Sequence, residues 1–193
     1  EHHESSDNRF RELSLKEPDS FKTQGDVLPH EFVHAWNGKS RRPLGLATKN
    51  YQEPMLHNLL WVYEGLTQYL GEVLAARSGA WSPETYRENL ALTAAMLDRR
   101  SGRGWRSLED TAVAAQLLYF TPESWLNLRR GTDFYPEGAL VWLAVDTLIR
   151  ERTDGQRSLD DFCQEFFGNP GIPPQVSTYT QDDLFEALGR VAP

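Results

Sequence analysis

The feature that most constrains this chain is a short pattern, H-E-x-x-H, at residues 30–34. Two histidines four residues apart share one face only if the segment is helical, because side chains three and four apart are neighbours on a helix. On that face the imidazoles of His30 and His34 can bind one zinc ion, and Glu31 can hold and deprotonate a water on the metal. With 5 His among 193 residues, a chance match is expected in about one such chain in a hundred. The pattern therefore predicts a helix and a metal site, which the rest of the chain must complete.

The composition narrows the class of protein. A chain of 193 residues with 39% hydrophobic and 25% charged residues suits one globular domain with a real core. The net charge of −8 and the lack of a long basic run argue against nucleic acid or an anionic membrane as a partner. Cys163 is the only cysteine, so an internal disulfide and a cysteine-based metal site are excluded. No apolar run approaches the length of a membrane span. Because the sequence starts at Glu1 without Met, we expect it to be a piece of a longer protein.

The spacing of apolar residues predicts a mainly α fold with few or no strands. Apolar side chains recur every three or four residues along most of the chain, which indicates roughly six or seven helices in orthogonal packing. Asp26 is predicted to be the N-cap of the helix that carries the H-E-x-x-H pattern. Residues 37–55 are predicted to form a long loop, and residues 120–133 to be irregular. Helices are predicted over 27–37, 55–77, 82–99, 107–119 and 136–152, from 158 onward, and over 180–189.

A catalytic zinc ion needs a third protein ligand, and Glu64 is the best candidate. It lies within the apolar helix predicted over 55–77, where a lone carboxylate is costly unless it is paired or bound to a metal. The chain between His34 and Glu64 is long enough for a loop and a returning helix. Two antiparallel helices could then bring Glu64 against both histidines.

Two motifs together resemble the glycyl aminopeptidase family. They are H-E-x-x-H-x-W-N at residues 30–37 and L-W-V-x-E-G-x-T-x-Y at residues 60–69, with R-R-P in the loop between them. Members of this family are gluzincin metallopeptidases with a thermolysin-like catalytic domain, often followed by a PDZ domain, and are distant relatives of aminopeptidase N. The resemblance runs from Glu1 to about Gly168. It implies that this chain is the orthogonal helical half of a thermolysin-like metallopeptidase catalytic domain.

The resemblance also implies roles for individual residues. One zinc ion per chain would be bound by His30, His34 and Glu64, with Glu31 as the general base. Trp36, Asn37 and Tyr69 are interpreted as packing residues around this site.

A tyrosine before the helix predicted over 136–152 gives a further expectation. Tyr135 matches the family's tyrosine that points at the zinc-bound carbonyl, where a phenol can donate a hydrogen bond to the developing oxyanion. Relatives usually carry a basic residue where this chain has Glu137.

The first residues of the chain resemble the end of the family's Gly-Gly-x-Glu-His-x-x-Ser segment. In the family this segment is an edge strand whose glutamate can hold the free amine of the substrate, which would make Glu1 a substrate-binding residue. Residues 1–24 would then be the end of an edge strand and a lead-in segment, and residues 25–193 the helical zinc-binding catalytic domain. The expected packing partners are a β-rich part of the same catalytic unit and a PDZ domain.

The function predicted from these features is zinc-dependent hydrolysis of peptide bonds in peptide or protein substrates. The resemblance implies an aminopeptidase that releases small N-terminal residues, Gly or Ala, and a periplasmic or secreted location. Two alternatives stay open. One is a thermolysin-like endopeptidase with the same chemistry. The other is an inactive peptide-binding module, against which the intact Glu31 argues.

Overall fold

The computed structural model describes residues 5–118, 124–168 and 176–193. Within these residues the chain is mainly helical, as the sequence predicts. None of the described helices is long and apolar enough to cross a membrane. The helices are α1 (Pro18–Gln24), α2 (Val27–Val33), α3 (Leu60–Tyr63), α4 (Gly65–Arg77), α5 (Pro83–Asp98), α6 (Leu108–Val113), α7 (Ala115–Leu118), α8 (Leu126–Arg129), α9 (Pro136–Arg152), α10 (Leu159–Phe167) and α11 (Gln181–Val191). Two strands, β1 (Arg41–Pro43) and β2 (Ser177–Tyr179), and two 3-10 turns, Leu44–Leu46 and Ser101–Gly104, complete the described structure.

Side-chain caps start several helices at the predicted places. The hydroxyl of Ser82 accepts a hydrogen bond from the backbone of Thr85 and opens α5. Ser158 and Thr180 each form a full capping box, at the starts of α10 and α11. Such caps satisfy backbone N–H groups that have no helical partner, and each is worth about 1 kcal/mol.

The segments that flank the predicted metal site depart from the predicted helices. The helix expected over 27–37 ends at Val33, and the helix expected over 55–77 is divided into α3 and α4, with Glu64 between them. The second of these predicted helices begins at Leu60 rather than at residue 55, because the backbone N–H of Leu56 donates to the carbonyl of Gly45 in the preceding loop. The region predicted as irregular contains the short helix α8.

Asp26 precedes α2 but does not cap it, contrary to the prediction. Its backbone is in the helical region and its side chain makes no capping hydrogen bond. Its carboxylate instead accepts a hydrogen bond of 2.8 Å from the side-chain amide of Gln68 in α4. The carboxylate thus connects the start of α2 to α4 and does not cap the N-terminus of α2.

Helix α4 is central to the fold. It packs against both α2 and α9. The core around it contains large side chains that are fully buried, and each contributes about 1.5–3 kcal/mol by leaving water. These include Val62, Leu66, Trp142, Phe162 and Leu184.

A close contact between two glycines sets the distance between α4 and α9. A Cβ atom added to Gly138 would lie 2.7 Å from the Cα of Gly65, and one added to Gly65 would lie 2.7 Å from the Cα of Gly138. The two helices therefore touch backbone to backbone near their first turns. Glu64 directly precedes one of these helices and Tyr135 directly precedes the other, so the contact brings both residues to the same region.

The two strands join segments that are far apart in the sequence. β1 pairs with β2 in parallel, with Arg41 opposite Ser177 and Pro43 opposite Tyr179. The pairing places the C-terminal segment beside the loop that follows α2.

Candidate metal centre

The structure brings together the three residues predicted to bind the metal. His30 lies in α2 and His34 directly follows it, and both are buried, with 9% and 7% of their surface exposed. The Nε2 atoms of His30 and His34 lie 3.4 and 3.3 Å from Oε2 of Glu64. All three side chains offer ligand atoms within 4.8 Å of one another.

These distances fit a zinc ion. In a tetrahedral zinc site with bonds of about 2.0–2.1 Å, neighbouring donor atoms lie about 3.3–3.4 Å apart. Both imidazole-to-carboxylate distances have this length. Oε2 of Glu64 is buried and has no well-formed hydrogen bond to any described residue. A buried carboxylate oxygen without such a bond, facing two imidazole nitrogens, is suited to bind a cation.

The ionisation of these groups also suits a metal site. Burial disfavours the charged form of Glu64, but the adjacent imidazoles of His30 and His34 favour it more strongly and lower the pKa to about 2. Burial lowers the pKa of His34, but the adjacent carboxylate of Glu64 more than compensates, so the net pKa is raised. Glu64 is therefore a carboxylate at any ordinary pH. A metal must displace a proton from His34 in acid, so metal affinity should fall as the pH falls.

A main-chain contact determines the tautomer of His34. Its Nδ1 lies 2.9 Å from the carbonyl oxygen of Asn37, which can only accept a hydrogen bond. In neutral His34 the proton is therefore on Nδ1, and the lone pair of Nε2 is directed at the site. The ring of Tyr63 stacks on His34 with a centroid distance of 4.9 Å and restricts its rotation. Nδ1 of His30 is buried and has no hydrogen-bond partner among the described residues.

The two residues predicted to act in catalysis lie beside this cluster. Glu31 is half-buried, and its negative charge contributes to the raised pKa of His34. The ring of Tyr135 is 6.0 Å from that of His30, measured between centroids. Glu1, the predicted substrate-binding residue, lies outside the described residues.

A buried ionic cluster holds the loop that carries Tyr135. Arg130 and Asp133, which are 2% and 1% exposed, form an ion pair with 3.0 Å between Nε and Oδ2. Arg100 also pairs with Asp133, and Arg130 pairs with Glu137. The acidic side chain of Glu137, at a position where the resemblance led us to expect a basic one, is thus paired with an arginine of this chain. Sequence patterns do not reveal this cluster, because arginines and acidic residues of this kind are most often exposed.

A family model described as M61 glycyl aminopeptidase matches residues 23–141, which is more than half of the chain. The protein is therefore a peptidase by class. The chain belongs to the M61 glycyl aminopeptidase family, which confirms the resemblance seen in its motifs. The matched range contains the three candidate ligands, Glu31 and Tyr135. A search of curated proteins finds no significant match.

Proposed function

We propose that this protein is a zinc-dependent aminopeptidase that releases small N-terminal residues, Gly or Ala, from peptides. The observation that carries the proposal is the convergence of two imidazole Nε2 atoms on one carboxylate oxygen, at 3.4 and 3.3 Å. Family membership supports the peptidase reaction, and the chemistry of the donor atoms supports zinc.

His30, His34 and Glu64 are the residues that would hold zinc. When bound, zinc supplies a Lewis acid that polarises the scissile carbonyl and makes a bound water easier to deprotonate. Because all three side chains are largely buried, charges act on one another here more strongly than they would in water.

The remaining roles belong to the protein's own acid and base groups. Glu31 accepts a proton from the attacking water at its carboxylate and later passes it to the leaving amine. The hydroxyl of Tyr135 donates a hydrogen bond to the oxygen on which negative charge develops. Glu1 would hold the free amine of the substrate, so a peptide with a blocked amine would be cut poorly.

The test combines metal analysis with kinetics on one pair of variants. Purified protein is expected to contain about one zinc per chain and to cleave Gly and Ala aryl amides. Glu31→Gln should keep the zinc and lose at least about a hundredfold in kcat, because it removes the general base and leaves the ligands intact. Glu88→Gln, an equal loss of charge at an exposed position in α5, is the control and should leave kcat unchanged.

Three results would contradict the proposal. Full activity of Glu31→Gln would remove the proposed base. Protein that neither contains zinc nor gains activity when zinc is added would favour the inactive peptide-binding module. Equal cleavage of N-acetylated and free substrates would favour an endopeptidase.

A further inference from the structure

We infer that Asn37 and Tyr179 are positioning residues of the metal centre, in which the hydroxyl of Tyr179 orients the amide of Asn37 and this amide holds the turn that carries Glu64. The inference rests on the proposed function, because it assumes that Glu64 and His34 bind the metal. It extends the site beyond the residues that match the family model, since Tyr179 lies outside residues 23–141.

The amide of Asn37 is bound to the end of the helix that precedes Glu64. Asn37 is fully buried, with 0% of its surface exposed. Its Nδ2 donates to the carbonyl oxygens of Val62 and Tyr63, each at 3.0 Å. These are the last two residues of α3, and carbonyls in the last turn of a helix have no partner within it. The amide thus stabilises the interruption between α3 and α4 at which Glu64 is located.

A threonine on the far side of the interruption completes this arrangement. The hydroxyl of Thr67 donates to the carbonyl of Tyr63 at 2.6 Å, and its oxygen lies 3.1 Å from Nδ2 of Asn37, so the two amide protons are shared among this oxygen and the carbonyls of Val62 and Tyr63. The amide therefore contacts residues on both sides of Glu64. Any rotation of the Asn37 side chain would release both helix ends that flank this ligand.

The main chain of the same asparagine acts on a second ligand. The carbonyl oxygen of Asn37 accepts the hydrogen bond from Nδ1 of His34 at 2.9 Å. One residue therefore fixes the tautomer of His34 through its backbone and the turn at Glu64 through its side chain. Groups that orient metal ligands in this way typically change metal affinity by about 10- to 100-fold when they are removed.

Tyr179 decides which way the amide of Asn37 faces. Its hydroxyl donates to Oδ1 of Asn37 at 2.9 Å, and its side chain is 0% exposed. Burial raises the pKa of this hydroxyl well above its usual value, so it remains a donor. An amide that accepts from Tyr179 through oxygen must present its NH2 group to the carbonyls of α3. The pairing of β2 with β1 holds Tyr179 in place, with Pro43 opposite it.

The experiment compares two tyrosine variants that each lose one buried hydrogen bond. Tyr179→Phe removes the donor to Asn37. Tyr69→Phe is the matched control, because the ring of Tyr69, which packs in the core at 5% exposure, is kept and only the hydrogen bond of 2.9 Å to Asp146, a residue outside the ligand cluster, is lost. For each purified protein we would measure the zinc dissociation constant by chelator competition and the visible absorption spectrum with Co2+ in place of zinc.

Tyr179→Phe is expected to raise the zinc dissociation constant by about 10- to 100-fold and to alter the Co2+ spectrum. Tyr69→Phe should lower the melting temperature but leave both metal readouts as in the unaltered protein. In an Asn37→Ala background, Tyr179→Phe should cost no further zinc affinity, because the hydroxyl acts through the amide.

Unchanged zinc affinity in Tyr179→Phe, or an equal loss in both tyrosine variants, would overturn the inference. If the unaltered protein binds no zinc, the proposed function fails instead, so the two failures are distinguishable. If Tyr179→Phe does not fold, the unaltered protein still provides a test by NMR. Its Asn37 side-chain amide protons should exchange slowly with solvent and more slowly when zinc is added, and fast exchange in both states would contradict the inference.

Discussion

The contact between Gly65 and Gly138 leads to a prediction in which activity and stability respond differently. Gly138→Ala adds one methyl group at the point where α4 and α9 touch. The new Cβ would lie 2.7 Å from the Cα of Gly65, whereas ordinary van der Waals contacts are 3.4–4 Å. The two backbones must therefore separate by about 1 Å, since a main-chain atom cannot rotate away as a side chain can.

The cost in stability should be small. Inserting a methyl group into a packed interior costs about 1–3 kcal/mol. Replacing glycine by alanine within a helix returns about 1 kcal/mol. The net loss is about 0–2 kcal/mol, which corresponds to a fall of no more than about 8 °C in melting temperature for a domain of this size.

The cost in activity should be larger, because Glu64 precedes one helix and Tyr135 precedes the other. A misplacement of 1 Å in a catalytic site can lower the rate by about a hundredfold. We therefore expect kcat/KM to fall by about a hundredfold at a temperature where the variant is fully folded.

The matched control for this prediction is Gly189→Ala in α11, where an added Cβ meets no atom within 4 Å. This variant should be slightly more stable and fully active. Circular dichroism melts and steady-state kinetics on a Gly aryl amide measure both quantities. If Gly138→Ala retains wild-type kcat/KM, the glycine contact does not set the geometry of the site, and the reasoning is wrong.

Two further predictions concern single side chains. Tyr135→Phe should lower kcat by about 10²- to 10³-fold with zinc content unchanged, because only the hydrogen-bond donor to the oxyanion is lost. Steady-state kinetics and metal analysis test this prediction, and an unaltered kcat would exclude Tyr135 as that donor. Burial, with the charge of Asp26 adding to it, raises the pKa of Glu72 from 4.5 to about 7. The folded state therefore binds the proton of Glu72 more tightly than the unfolded state does, which stabilises the fold by up to about 3 kcal/mol. This stabilisation is fully present below pH 4.5 and is lost as the pH rises through 7. Urea unfolding across this range should show the decline and Glu72→Gln should reduce it; equal slopes for the two proteins would contradict the assignment.

Local signals predicted much of the fold correctly. Ser158 and Thr180, each followed three residues later by an aspartate, mark helix starts that the structure has as capping boxes. The helix over residues 136–152 has the predicted bounds. Glu64 could be singled out because a carboxylate in an apolar helix needs a partner, and the structure supplies two imidazoles. The helix predictions succeed because they depend on residues close together in the sequence. The prediction for Glu64 succeeds because burying an unpaired carboxylate is unfavourable in any fold.

Features that depend on distant partners could not be predicted in this way. The apolar spacing continues across Glu64 without a break, and the interruption there involves the amide of Asn37, which lies 25 residues before Val62. Asp26 has the sequence pattern of an N-cap, yet Gln68, 42 residues away, takes its carboxylate. Arg130 and Asp133 look like surface residues until the fold buries them. In each case the side chain has several possible hydrogen-bond or ion-pair partners, and the tertiary structure determines which of them it contacts.

The parallel pairing of β1 with β2 has a consequence for how the protein is made. The ribosome synthesises both histidines and Glu64 more than a hundred residues before it reaches Tyr179. Closing so long a loop is entropically costly and slow, so β2 is expected to dock late in folding. Until it docks, the amide of Asn37 has no hydroxyl to orient it. If the proposed zinc site is correct, a newly made chain should bind zinc weakly at first and tightly only after β2 has paired with β1, which couples formation of the metal site to a late step of folding.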